Sequence, residues 1–79
     1  MFYVYILYSE GLGKYYVGYT SDLANRLIHH NSRQNKWTKR GAPWTMVHHI
    51  AVENRAEAMK LERKIKNIGA GRFLSSLGK

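Results

Sequence analysis

Phe2 to Ser9 and Tyr15 to Tyr19 are two strand-forming runs joined by Glu10-Gly11-Leu12-Gly13-Lys14, and no other feature of the 79-residue chain constrains its fold as much. The first run is aromatic or aliphatic almost throughout, which suits a strand covered on both faces. The two glycines of the connection allow positive φ and close a hairpin loop of a few residues. Strand alternation then puts Tyr3 and Tyr5 on one face and Val4 and Ile6 on the other. Tyr16 and Gly18 share a face of the return strand, so the hairpin can set Tyr5 and Tyr16 side by side. Gly18 suggests a bulge or a close backbone approach to a ligand.

A helix follows, running to about Asn31, with Ser21 or Thr20 as its cap and Asp22 in its first turn. Leu23 and Leu27, with Ala24 and Ile28, form its expected buried stripe. Ser32 to Pro43 is polar and basic and reads as a loop around Trp37. Trp44 to Val52 is a third strand with Pro43 at its edge. Asn54-Arg55-Ala56-Glu57 resembles a capping box opening a helix whose stripe is Ala58, Leu61, Ile65 and Ile68. Gly69 is a good stop, and Gly71 to Leu77 can form a short last helix packed through Phe73, Leu74 and Leu77. The expected fold is α+β: one domain spanning 1–79, with a small three-stranded, mainly antiparallel sheet flanked by helices. The element order is ββαβα plus a short C-terminal helix.

A chain this short buries only about 60% of its unfolded surface. There is no cysteine, so disulfides and thiolate-held zinc are excluded. The core must come from apolar residues, with six Tyr, two Trp and two Phe supplying large areas. No apolar run approaches the ~20 residues of a membrane span, and Met1 leads into a strand without a basic leader. A complete, cytoplasmic protein is the expectation. Thirteen Lys and Arg against five Asp and Glu give a formal net charge of +8, which points to a polyanion partner. Nucleic acid is expected, DNA foremost, and no membrane. Lys14, Arg33, Lys36, Lys39, Arg40 and Lys66 are the candidate phosphate contacts. Trp37, Trp44 and the exposed tyrosines could stack on bases, the alternative being that Trp44 lies in the core and Trp37 anchors the loop.

Three sets of residues could carry chemistry. Tyr5 and Tyr16 are the first, although strand tyrosines often only pack. Arg26 and His30 are the second: four residues apart, they share a helix face. Arg offers a forked cation matched to phosphate oxygens, and His can shuttle a proton near neutral pH. Their face flanks the apolar stripe, so both side chains can lie at the sheet edge instead of in solvent. Glu62 is the third, a carboxylate bordering the stripe of the later helix in a basic chain. It can ligate a hard divalent cation, or simply pair with Lys66 at i,i+4. His48 and His49 are adjacent on a strand and point to opposite faces, so zinc is not expected there.

Taken in order, these residues resemble the GIY-YIG nuclease domain from near residue 2 to residue 68, in the form of its small stand-alone bacterial members. Val4-Tyr5-Ile6 matches the first signature, with Val in place of Gly. Tyr16-Val17-Gly18 matches the second, with Val in place of Ile. Arg26 and His30 match the helix signature, Glu62 matches the metal-binding Glu, and the stretch from Thr38 to Trp44 resembles a loop of those small members. The resemblance implies an endonuclease hydrolysing phosphodiester bonds with Mg²⁺ or Mn²⁺ held by Glu62. Tyr5 or Tyr16 would position or deprotonate water, Arg26 would stabilise the pentacovalent phosphate, and His30 would assist. Many members carry a further Asn after the Glu, for which Asn67 is the candidate. The chain has no second reading domain, so it would recognise a structure or strand type, or depend on a protein partner. Repair, recombination or single-strand processing are the implied contexts. The alternative is a non-catalytic nucleic-acid-binding module on the same fold.

Overall fold

The computed structural model describes residues 1–31 and 41–78. The expected phosphate contacts Arg33, Lys36, Lys39 and Arg40, together with Trp37, lie outside the described residues. The elements are β1 (Phe2–Ser9), β2 (Lys14–Thr20), α1 (Leu23–Asn31), β3 (Thr45–Val52), α2 (Arg55–Ile68) and α3 (Ala70–Gly78). The fold is α+β with the expected order. The sheet is antiparallel throughout, in the order β2-β1-β3, so β1 is central. That is why its side chains are apolar on both faces.

The β1–β2 hairpin pairs Tyr5 with Gly18 and Ser9 with Lys14. Of the two loop glycines only Gly13 takes positive φ, at +65°. Its N–H donates to the Ser9 carbonyl at 2.7 Å and closes the turn. The β1–β3 pairing holds an irregularity absent from the sequence reading. Ile6 pairs with His48 but Leu7 pairs with Met46, so Val47 is a bulge. The extra residue resets the alternation. Met46 therefore packs against the cluster on the Tyr5 face, while His49 meets Tyr3 on that same face edge-on at 6.3 Å.

The sheet divides the core in two. Val4, Ile6 and Val17 meet Ala58 and Ile65 of α2, with Phe73 and Leu74 of α3 against them. On the other face Tyr5, Leu7 and Trp44 form a second cluster, joined by Tyr16 and by Leu23 and Leu27 of α1. Four expected packing residues do not pack. Ala24 and Ile28 are exposed because α1 meets the sheet through Leu23, Leu27 and His30 only. Ile68 and Leu77 are exposed because they fall at or near the last turns of α2 and α3, past the reach of the sheet.

Capping explains the helix ends. Asp22, rather than Ser21 or Thr20, caps α1: its Oδ1 accepts from the Asn25 N–H at 3.1 Å. Thr20 holds the cap in place by accepting from the Asp22 N–H at 3.0 Å. Asn54 caps α2 through the Glu57 N–H at 2.9 Å, and Gly69, with φ of +100°, ends it. At the other end of α1, Asn31 clamps the backbone of Trp44. Its Oδ1 accepts from the Trp44 N–H at 2.5 Å and its Nδ2 donates to the Trp44 carbonyl at 3.1 Å. This pair ties the end of α1 to the entry of β3. Each such bond contributes about 0.5–1.5 kcal/mol net. Asn31→Ala is therefore expected to lower unfolding free energy by about 1–3 kcal/mol, read from urea denaturation. An unchanged midpoint would show that the clamp contributes nothing.

Candidate active site

Tyr5 and Tyr16 lie on the same face of the sheet, as diagonal neighbours across the hairpin. Their rings stack at 6.4 Å between centroids with an interplanar angle of 24°. Gly18 permits this. A Cβ there would stand 2.6 Å from the Tyr5 hydroxyl oxygen and 3.2 Å from a Tyr16 ring carbon. The glycine is thus the floor on which the Tyr5 ring rests, not a bulge.

His30 completes the cluster from α1. Its Nε2 is 3.0 Å from the Tyr5 hydroxyl, within hydrogen-bond distance. Its ring lies 4.8 Å from Tyr16 and 5.9 Å from Tyr5. Trp44 forms a further wall, 6.2 Å from Tyr16. Tyr5 and His30 are almost completely buried, at 2% and 0% exposure, whereas Tyr16 is only half-buried. Tyr16 is therefore the solvent-accessible phenol of the pair, while Tyr5 and His30 are covered.

Burial sets the protonation of both hidden groups. The Tyr5 phenol is pushed up beyond the ordinary phenol range, first by burial and then by the neighbouring Tyr16. Two side-chain charges also act on it: Arg26 opposes the rise and Glu62 adds to it. His30 is pushed down to about 4, first by burial and then by Arg26 and His29. At neutral pH the pair is a neutral phenol beside a neutral imidazole.

Arg26 and His30 share a helix face but not an environment, contrary to the expectation that both line the sheet edge. His30 is buried against Tyr5, whereas Arg26, a turn earlier, is exposed. Arg26 lines an open groove with Thr20, Ser21, Asn25 and His29. A second groove is lined by Tyr15, Tyr16, Val17, Lys66 and Ala70. Glu62 is largely sheltered on α2, and its Oε2 is 3.4 Å from Lys66 Nζ. Lys66 thus links the carboxylate to the groove that Tyr16 borders. Asn67 is exposed and lies about 140° around the helix from Glu62, turned away from it. Lys14 is exposed at the start of β2. Among the described residues no three His, Asp or Glu side chains gather to hold a metal, and Glu62 is the carboxylate that would ligate one.

The chain belongs to the GIY-YIG nuclease family: the profile of the GIY-YIG catalytic domain matches residues 1–69. It is similar to UPF0213 protein VNG_2274C of Halobacterium salinarum, 35% identical over 69 residues, covering 86% of this chain and 88% of that protein. It is similar also to UPF0213 protein SSP2268 of Staphylococcus saprophyticus, 37% identical over 65 residues, covering 81% and 78%. The solution NMR structure of UPF0213 protein BH0048 from Bacillus halodurans matches with a TM-score of 0.59 at 33% identity, over 99% of this chain and 86% of that one. Among the described residues no helix is long and apolar enough to cross a membrane.

Two contributors to the site were absent from the sequence reading, the Asn31 clamp and the role of Gly18 as a floor; Trp44, expected in the core or as a stacking residue, is buried in the core beside Tyr16. Only Gly18 left a signal, as a glycine inside a strand.

The low pKa of His30 makes stability depend on pH. In the unfolded chain His titrates near 6.5. The folded value of about 4 means that the unfolded state gains a proton first as pH falls. The His30 contribution is therefore full above about pH 6.5 and is lost progressively down to about pH 4. Thermal unfolding of the wild type should fall across that window, and the fall should be shallower in His30→Gln. Identical slopes would mean that His30 is not held neutral.

Proposed function

We infer that this chain is a metal-dependent endonuclease hydrolysing phosphodiester bonds in nucleic acid, DNA foremost, and that residues 1–79 act as one catalytic unit. The observation that supports this most directly is the stacked pair of phenols, Tyr5 and Tyr16, with His30 Nε2 3.0 Å from the Tyr5 hydroxyl, in a basic chain that also shelters the Glu62 carboxylate on α2. A binding module needs no carboxylate at a basic surface, where it would repel phosphate.

Tyr16 is the phenol within reach of substrate, and its hydroxyl orients the attacking water. Tyr5 and His30 form a buried pair under it that fixes the orientation of the ring. Arg26 presents a forked cation to the non-bridging oxygens, whose charge grows towards the pentacovalent phosphate. Glu62 would hold Mg²⁺ or Mn²⁺: a lone carboxylate, with waters and substrate phosphate completing the shell, suits such a hard ion. When bound, that ion supplies Lewis-acid neutralisation of the phosphate and lowers the pKa of a bound water. The cluster reads no base sequence, so selection falls on the shape or strand type of the nucleic acid, or on a protein partner. A cytoplasmic role in repair, recombination or single-strand processing suits such a reader.

The test is a cleavage panel over duplex, branched and single-stranded DNA and RNA, with Mg²⁺, Mn²⁺ or EDTA. Cleavage is expected with either ion and not in EDTA. Glu62→Gln should lower it by about 100-fold or more, the scale of losing a key electrostatic group. Nucleic-acid binding in EDTA should survive or tighten, whereas Arg26→Ala should weaken both cleavage and binding. Full activity in folded Glu62→Gln protein would place the ion elsewhere. Binding without cleavage of any substrate would favour the non-catalytic module.

A further inference from the structure

Lys66 belongs to two features at once. Its Nζ is 3.4 Å from Glu62 Oε2, one helical turn back, and its side chain lines the groove with Tyr15, Tyr16 and Val17. The partners differ in exposure, 22% for the Glu62 side chain and 56% for Lys66. The carboxylate is the sheltered member and the ammonium, on its four-carbon stem, the mobile one. Lys60, also on α2, pairs with Glu57 instead, at 3.8 Å, and lines a different groove with Val52, Leu61 and Lys64.

We propose that Lys66 is a placeholder cation: it holds the Glu62 carboxylate while no divalent ion is bound, yields it when one binds, and then turns to a substrate phosphate in the Tyr15–Tyr16 groove. The inference rests on the reading of Glu62 as the metal ligand. A carboxylate that already holds an ammonium must release it, or share it against repulsion, to take a second cation. Each cation therefore weakens the other's hold. The swap needs no large movement, because Lys66 already lines that groove beside Tyr15 and Val17. Ion and nucleic acid then favour each other's binding, and the coupling is reciprocal.

The test uses the full chain without any cleavage assay. Mn²⁺ affinity is measured by electron paramagnetic resonance in the absence of nucleic acid, and oligonucleotide affinity by fluorescence anisotropy in EDTA. Lys66→Met should bind Mn²⁺ about two- to fivefold more tightly, the range that an exposed ion pair supplies. Lys66→Gln should do the same, and Lys60→Met should not. Glu62→Gln should lose Mn²⁺ but bind the oligonucleotide more tightly, with a salt slope steeper by about 0.7–0.9. The double variant Glu62→Gln/Lys66→Met should lose that gain. If Glu62→Gln abolishes Mn²⁺ binding while the Lys66 variants leave it unchanged or weaker, the placeholder is overturned and Glu62 remains the ligand. Equal tightening by Lys60→Met would reduce the effect to net charge and overturn it as well. If Glu62→Gln still binds Mn²⁺, the ligand reading falls, and the placeholder with it.

Discussion

The contact between the Tyr5 hydroxyl and His30 Nε2 joins the central strand to α1, and the arrangement of the site follows from it. This helix approaches the sheet through long side chains and not through close backbone packing. The contact buries two polar groups, which is costly unless each satisfies the other. Here they do, and no buried polar side-chain atom among the described residues lacks a partner. The same burial keeps the phenol protonated and the imidazole neutral. This contact, with Leu23, Leu27 and the Asn31 clamp, positions α1 under Tyr16, and the burial it shares keeps the pair neutral.

The sheet lets this polar face exist by placing ordinary stability on the other side. Val4, Ile6, Val17, Ala58 and Ile65 form an aliphatic cluster with no ionisable member. Burying a large aliphatic side chain contributes about 1.5–3 kcal/mol, against roughly 1 kcal/mol net for a hydrogen bond. In so small a chain that difference decides which face holds the fold together. The aromatic face can then carry groups chosen for reactivity, with Gly18 giving up its own side chain to make room for one of them.

Local rules made much of this legible. Alternation in β1 and β2, the turn glycines, the Asn54 cap and the Gly69 stop all act over a few residues, and the fold obeys them. What depended on tertiary distance was not legible. The Val47 bulge changes which β3 residues face the Tyr5 cluster, Met46 before it and His49 after it, and no strand pattern announces that shift. Helical spacing put Arg26 and His30 on one face but could not say that the sheet covers only the second. Asn31 looked like a helix end and is a cross-link, because its partner lies 13 residues away. Candidate roles came from family resemblance. The structure adds which phenol is sheltered and which is open, a distinction of burial and not of sequence.

The Asn31–Trp44 clamp carries a consequence for how such a chain can diversify. It sutures the two ends of the intervening stretch at hydrogen-bonding distance, behind the wall that Trp44 gives to Tyr16. With both ends stitched, lengthening the stretch costs only about 0.6 kcal/mol per doubling. The end of α1 and the entry of β3 thereby stay in register whatever length of chain joins them. Insertions between those two anchors are borne by the clamp and leave the packing of Tyr16 against Trp44 as it is.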